Sequence, residues 1–596
     1  MKVVNRMTFL PLTAGPLTMM FDTDIAFLRY VRFGGQELVR GVFVAVRDRD
    51  WNTVPFSIDD LNLDQTADTF SIHFFANSLN RDIAFRWQGT IDGTSEGVVR
   101  YRFKGESAAP FYRNRIGLCV LHPTGECTGK SCQIEHADGS STQGIFPLCI
   151  SPHQPFKNVR AISHSVQQGV QVRVSMAGET FEMEDQRNWT DASYKTYSTP
   201  LDLPFPVRVE KGTILEQSVT IELLGADLPK GSSVGVDNGK CKVVIDWTQP
   251  IRRPEIGFQL PKQAYCVPIA VIHRLQTVRP EHLRVDLWLN QPEWPIELKS
   301  AIEVAQSIDA KLEMAIFTDN ASDESWHEWL QSLQKGRARV ARVLLFHTSE
   351  KTTPPDLVAA AFGSLRAIDR EMQIVVGTNG YFAELNRGRP TPIDDGPVCY
   401  SINPQVHAFD NLSLNEAIEA QRATVDSAVQ TFSSNVVISP ITLRPRFNPN
   451  ATSSVDLATE LESAIDPRQS SGFGAAWTAG VFASLLTHPN VNSLTLYEAF
   501  GPRGVIGGNG SDVPMTRLIE CVLQSERTFR GVSSLPLSLV AFGMQIANEA
   551  LQVVIGNLSS EDIEMQFFTK NGNERIITVA AETAHIELIA GESMDA

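Results

Sequence analysis

Polar side chains recur where apolar, strand-patterned runs end in the second half of this 596-residue chain. Glu498 follows "SLTLY", so its carboxylate stands at the exit of an apolar strand, a setting that raises a carboxyl pKa and suits proton transfer. His407 lies in "NPQVHAFDN", between Asn403 and Asp410. Histidine is the commonest general acid or base because its ordinary pKa is about 6.5. Asn379 and Tyr381, in "TNGYFAELNR", join Asn403 as groups able to hold hydroxyls or an oxyanion. Arg444 and Arg446, in "LRPRFNP", carry the fork that grips a carboxylate. Each has a plainer reading: Glu498 as a carboxylate that only holds an arginine or tyrosine, His407 as structural, the arginines as surface pairs.

A second concentration lies upstream in "MEDQRNWTDASYKTYSTPLDLPFP", residues 183–206. The pattern predicts a hairpin in which "VQVRVSM" turns at Ala177–Gly178 and returns as "TFEMEDQ", with Phe181 and Met183 on one face and Glu182, Glu184 and Gln186 on the other. The alternation then stops. Glu184, Asp185 and Trp189 are candidates to meet a ligand, since an indole face stacked on a sugar ring beside carboxylates is common carbohydrate chemistry. The competing reading is a salt-bridged loop bracing a domain interface.

These groups need a scaffold. Residues 1–250 alternate short runs such as "GVFVAVRDRDW" and "TFSIHFFANS" with turn signals, the pattern of an antiparallel β-sandwich. From 251 to 533 the rhythm becomes strand, loop, helix. Strands are expected at 255–260, 283–290, 312–319, 340–347, 372–379, 398–409, 436–443 and 493–500, with helix-period segments between them. That is the signature of a (β/α)8 TIM-like barrel, which places its chemistry at the C-terminal ends of the strands. Polar groups at most of those ends, including Asn290, Asp319 and His347, suit a polyhydroxylated ligand. Residues 534–596 return to strands around a "KNGN" turn and read as a small β-domain packed on the barrel. The fold class is therefore multidomain, α/β plus all-β.

Composition narrows the partners. The net charge of −16 argues against nucleic acid, which needs a basic face, and against anionic membranes. No run approaches the roughly 18 apolar residues of a membrane span, and the proline-broken N-terminus reads as an ordinary first strand and not as a secretory signal. Eight scattered cysteines read as free thiols of a reducing compartment, so a cytoplasmic address is expected. Cys119, Cys127, Cys132 and Cys149 cluster, but their spacing matches no standard zinc site. No metal site or cofactor is expected; a divalent metal could take over part of the chemistry, but no ligand cluster demands one. An oligomer is compatible with the sequence. "GSSVG" at 231–235 matches a nucleophile-elbow pattern but joins two β-runs instead of a strand and a helix. "GVIGGNGSD" at 504–512 reads as a lid, or less readily as an anion-binding loop.

"FEMEDQRNWTDASYKTY", "RYVRFGGQELVRGVFVAVRDRDWNTVP", "TNGYFAELNR" and "SINPQVHAFDN" together resemble the D-apionate lactonase family of branched-sugar catabolism. The likeness runs over the first domain and most of the barrel. It implies hydrolysis of a small-molecule sugar lactone, D-apionolactone, to the open aldonate in the cytoplasm. No family catalytic residues are carried over. From the residues alone, Glu498 is expected as base, His407 as acid or oxyanion donor, and Asn379 with Asn403 as hydroxyl or oxyanion ligands. A glycoside hydrolase on the same scaffold is the first alternative. The widespread barrel glycosidases carry an Asn-Glu at strand four and a Glu at strand seven, where this chain has "LLFHTSE" and "TLRPR". A non-catalytic carbohydrate-binding protein is the second alternative.

Overall fold

The structure, a computed structural model, describes residues 9–80, 83–225, 241–262, 264–450, 457–546 and 550–589; the 231–235 pattern lies outside them. The chain divides into two compact units: 1–186 with 192–238 and 450–454, and 187–191 with 239–449 and 455–596.

The first unit is all antiparallel. Its strands alternate because one face is buried: along Phe70–Asn80 and Val98–Ser107 every second side chain enters the core. Hydrogen bonds link seventeen strands in one network. One branch runs from Phe56–Gln65 through Val98–Ser107 and Ile214–Leu224 to Val170–Ala177. The other runs from Phe9–Ala14 through Gln36–Asp48, Phe111–Pro123 and Ser193–Tyr197 to Phe181–Asp185. Both meet on the long strand Phe156–Gln167. The branches share one apolar core, with Phe21 of one 5.8 Å from Phe74 of the other. The two layers expected of a sandwich are thus continuous through a shared strand.

The expected 170–186 hairpin does not form. Val170–Ala177 pairs with Phe156–Gln167 and Ile214–Leu224, whereas Phe181–Asp185 pairs with Ser193–Tyr197. At Gly178, φ is +103° and a Cβ would lie 2.1 Å from the Glu216 carbonyl, so the chain there presses against a different strand. Nor does the returning strand show water a polar face, because all five of its residues are buried. Glu182 is held there by the Tyr197 hydroxyl at 2.5 Å and the Leu201 amide at 2.6 Å.

In the second unit eight parallel strands close a barrel: β1 Glu255–Gln259, β2 His282–Trp288, β3 Lys311–Phe317, β4 Val340–Phe346, β5 Gln373–Tyr381, β6 Val398–Ile402, β7 Val436–Ile441 and β8 Val491–Glu498. β1 bonds to both β2 and β8. The eight expected runs are all observed, but β6 stops at Ile402, leaving His407 in a loop. Part of the interior is ionic instead of the usual layers of branched apolar side chains. Glu313, fully buried, accepts from Thr495 Oγ1 at 2.7 Å, Arg342 Nη1 at 2.8 Å and the Ser439 hydroxyl. His282 Nε2 sits 2.9 Å from the same threonine.

The chain after the barrel forms an eight-stranded sheet that also takes in Cys241–Ile245 and Ile251–Arg252. The "KNGN" signal closes Ile563–Phe568 and Glu574–Val579 as expected, with Gly572 at φ +79°. Helix Gly472–Leu485 is buried on nearly every side because this sheet covers the face turned away from the barrel.

Candidate active site

Glu498 owes its aim to a bulge. Ser493 and Thr495 point into the barrel, where they bond Arg342 and Glu313. Simple alternation would send Tyr497 the same way and Glu498 outward. Instead Tyr497 takes φ +44°, the register with β1 skips it, and its hydroxyl lies 2.9 Å from Thr478 on the helix behind. Glu498 is thereby turned toward Arg503, whose Nη2 donates to Oε1 at 2.5 Å. The loop beyond folds back, with Glu498 N donating to Arg503 O and Val505 N to Glu498 O. The glycine-rich stretch expected as a lid is tied down by this turn and by Gly507 N bonding Ser511 O at 2.8 Å. Glu498 is 8% exposed, and burial pushes its carboxyl up to about 7; the Asp286 charge adds to the rise, while Arg503 and Arg446 oppose it.

Asp286 and Arg446 belong to a cluster built from β2, β5 and the loop after β7. Arg284 donates from Nε to Asp286 Oδ1 at 2.8 Å and from Nη2 to Asn379 Oδ1 at 2.7 Å. Arg446 Nη2 donates to the same amide oxygen at 2.8 Å, and its Nη1 lies 3.5 Å from Asp286 Oδ2. Burial works against the Asp286 charge, but the two arginines outweigh it and hold the carboxyl below its usual range. Burial and repulsion from Arg284 bring Arg446 down to about 10. Two cationic donors on Oδ1 fix the Asn379 amide orientation, so what it can offer a ligand is its NH2. The backbone allows this placement because β5 bulges: Gly377 pairs with Cys399, and the next pair is Tyr381 with Ser401.

Asn403 is similar. Its Oδ1 accepts from Gln405 N at 3.1 Å, whereas its buried Nδ2 has no protein partner. Nearby Tyr381 donates to Phe447 O at 2.9 Å; burial and the Glu384 charge raise the Tyr381 pKa, with Arg446 opposing.

Residues 187–191, part of this unit, complete the arrangement. Thr190 adopts φ +65°, costly for a β-branched residue, and its hydroxyl donates to Asn403 O at 2.8 Å. Asn386 Nδ2 donates to Asn188 Oδ1 at 3.0 Å, and the Arg387 guanidinium lies 5.0 Å above the Trp189 ring. Trp189 meets His407 edge to face at 5.4 Å, and His407 Nδ1 lies 2.5 Å from Asp191 Oδ2. Thr190 thus ties the segment that carries Trp189 and Asp191, the neighbours of His407, to Asn403. Among the described residues no three His, Cys, Asp or Glu side chains are grouped to hold a metal ion.

Two family models match, the N-terminal domain of D-apionate lactonase over residues 4–226 and its TIM barrel domain over 256–527. The D-apionate lactonase of Brucella anthropi is 30% identical over 520 residues, 84% of each chain. The chain belongs to the D-apionate lactonase family. It is therefore an enzyme of the lactonase class, which opens cyclic carboxylic esters. Likeness to solved structures is weaker. A family 51 α-L-arabinofuranosidase from Bifidobacterium longum matches with TM-score 0.40 and 10% identity, over 58% of this chain and 99% of its own. A β-arabinopyranosidase matches with TM-score 0.31 and 10% identity, over 97% and 98%.

In this lactonase-family chain Glu498 and Asn379 stand with the Asp286–Arg446 cluster, Asn403, His407 and Trp189 with residues 187–191, and Tyr381 within the field of Arg446. Glu184 pairs with Lys195, and Asp185 Oδ2 accepts from Ser151 N at 3.1 Å, both within the first unit. Arg444 turns to Asp466 and the Ser463 carbonyl, each at 3.3 Å, and it is Arg446 that enters the cluster. Arg284, Asp286, Asp191 and Arg503 were not singled out by reading the strand ends. The signal was there for the first two: charges in the middle of "LRVDLWLN" have no place in a barrel strand unless they face its interior. No local signal distinguished Asp191 from its charged neighbours.

Proposed function

We propose that this chain hydrolyses D-apionolactone to the open-chain aldonate, with Glu498 as the base. The observation that carries the assignment is a buried carboxylate at a barrel strand's C-terminal end whose pKa lies at about 7, where one group can both hold and release a proton. Glu498 takes a proton from water as its oxygen bonds to the lactone carbonyl carbon. The tetrahedral oxyanion is met by the amide NH2 groups of Asn379 and Asn403, with the Arg446 charge nearby. The bond from carbon to ring oxygen then breaks, and His407 supplies the proton that this oxygen needs as it leaves. Trp189 contributes an apolar surface for the sugar ring. The donor-rich, largely buried side chains support a polyhydroxylated lactone as the small-molecule partner. A cytoplasmic setting, expected from the scattered free cysteines, accords with this reading.

Proton release from a panel of aldonolactones, run beside chromogenic glycosides, tests the proposal. Hydrolysis of a branched-sugar lactone with no glycoside cleavage is expected. Glycoside cleavage without lactone turnover would overturn it.

A further inference from the structure

His407 alone does not determine which of its nitrogens exchanges a proton. In this structure Nδ1 faces Asp191 Oδ2 at 2.5 Å, and both side chains are mostly buried, at 16% and 15% exposure. An ionised carboxylate only accepts, so its partner nitrogen carries the hydrogen and Nε2 becomes the exchanging atom. The segment holding Asp191 is built to keep that aim. It enters through a 3₁₀ turn at Gln186–Trp189, passes Thr190 in a left-handed conformation, and is fastened to the barrel-unit residues Asn386, Arg387 and Asn403. Trp189 closes one side of the imidazole. A β-branched residue at φ +65° is strained, so the surrounding contacts must over-determine it.

We propose that Asp191 is a positioning residue of the lactonase site, fixing the tautomer and ring orientation of His407 so that Nε2 serves the leaving ring oxygen. This rests on the lactone-hydrolysis reading, in which His407 is the acid. Asp191 touches no reacting atom. It holds the proton on Nδ1 and stabilises the imidazolium form that donates from Nε2; after donation, the ring regains its proton from the solvent.

Asp191→Asn tests the inference, because it keeps the shape of the side chain but can donate an amide hydrogen to Nδ1 and so favour the opposite tautomer. We expect kcat to fall about a hundredfold with KM within about threefold, and Asp191→Glu to recover part of the loss. The double variant with His407→Gln should be no more than about threefold slower than His407→Gln alone, since both changes act through one ring. A kcat for Asp191→Asn within threefold of the parent, or losses that multiply in the double variant, would overturn the proposal. Nitrogen-15 NMR of histidine-labelled protein at pH 8.5, with His407→Gln giving the assignment, needs no turnover. The proton-bearing nitrogen should switch from Nδ1 to Nε2 in Asp191→Asn, and an unchanged tautomer sinks the idea. If no lactone is turned over but the tautomer switches, the hydrolysis reading fails while the orienting contact stands.

Discussion

At Glu498 the burial that makes a charge costly is also what makes the group useful. A base must be ionised, so with its carboxyl pushed up to about 7, kcat/KM should rise with pH through that value and fall again only at the higher pH where the acid of the pair loses its proton. Glu498→Gln should lower kcat by about a hundredfold or more and abolish that limb of a pH–rate profile. Retention of both rate and limb would assign the base elsewhere. Asn379 offers a sharper contrast. Asn379→Asp preserves the oxygen held by Arg284 and Arg446 but replaces the amide donor with a second acceptor. The fold should survive, as judged by circular dichroism and thermal melting, while kcat drops by about a hundredfold, the scale of one lost oxyanion donor. The plainer reading of Glu498, a carboxylate holding an arginine, is present too in its bond to Arg503.

Elements place these residues through irregularities. β8 needs its bulge at Tyr497, β5 needs the looped-out stretch between Gly377 and Tyr381, and the 187–191 segment needs Thr190 at positive φ. Hydrophobic period located all eight barrel strands because each is a short, mostly apolar run set between turn signals and helix-period segments. It could not reveal a one-residue register skip, since "SLTLYEAF" reads equally well with either face inward. Close packing of strands sets a further limit. At Gly257 of β1 a Cβ would lie 2.3 Å from both the His282 ring and its carbonyl oxygen. Gly257→Ala should therefore cost about 1–3 kcal/mol in urea denaturation, by forcing β1 and β2 apart. A change below about 0.5 kcal/mol would show that the strands yield freely.

Across the whole molecule, the buried ionic layer of the barrel ties stability to pH. Burial, aided by Arg342, lowers His282 to about 4 against Glu313's opposing pull, below the value of about 6.5 in an unfolded chain. Between those values the folded chain binds fewer protons than the unfolded one, so stability falls as pH drops from about 6.5 to 4. Burial disfavours the Glu313 charge, yet His282, Arg342 and Arg284 outweigh it and bring the carboxyl down to about 2. Its contribution is present above the ordinary carboxyl range of about 4.3 and is lost as pH falls further toward 2. The urea midpoint should thus decline on acidification from pH 7. In His282→Gln the slope between 6.5 and 4 should flatten, by on the order of 2–3 kcal/mol over the window. An unchanged slope would place the titrating group elsewhere.

What the sequence determined by itself was periodicity and residue type: the all-β first domain, the eight-fold strand–helix repeat, and which strand ends carry polar groups. These are local properties, legible because alternation of two and of 3.6 leaves different marks along the chain. Glu498, His407, Asn379 and Asn403 were legible for the same reason, as polar groups just beyond apolar runs. Tertiary structure alone decided their partners. That Asp191 meets a histidine 216 positions later, that Arg446 and not Arg444 joins Asp286, and that "VQVRVSM" pairs with Ile214–Leu224 and "FEMED" with Ser193–Tyr197 instead of with each other all depend on contacts between distant segments. Spacing along the chain holds no record of such distances; they follow from closure of the barrel and from the few irregular residues that bend the strands out of register.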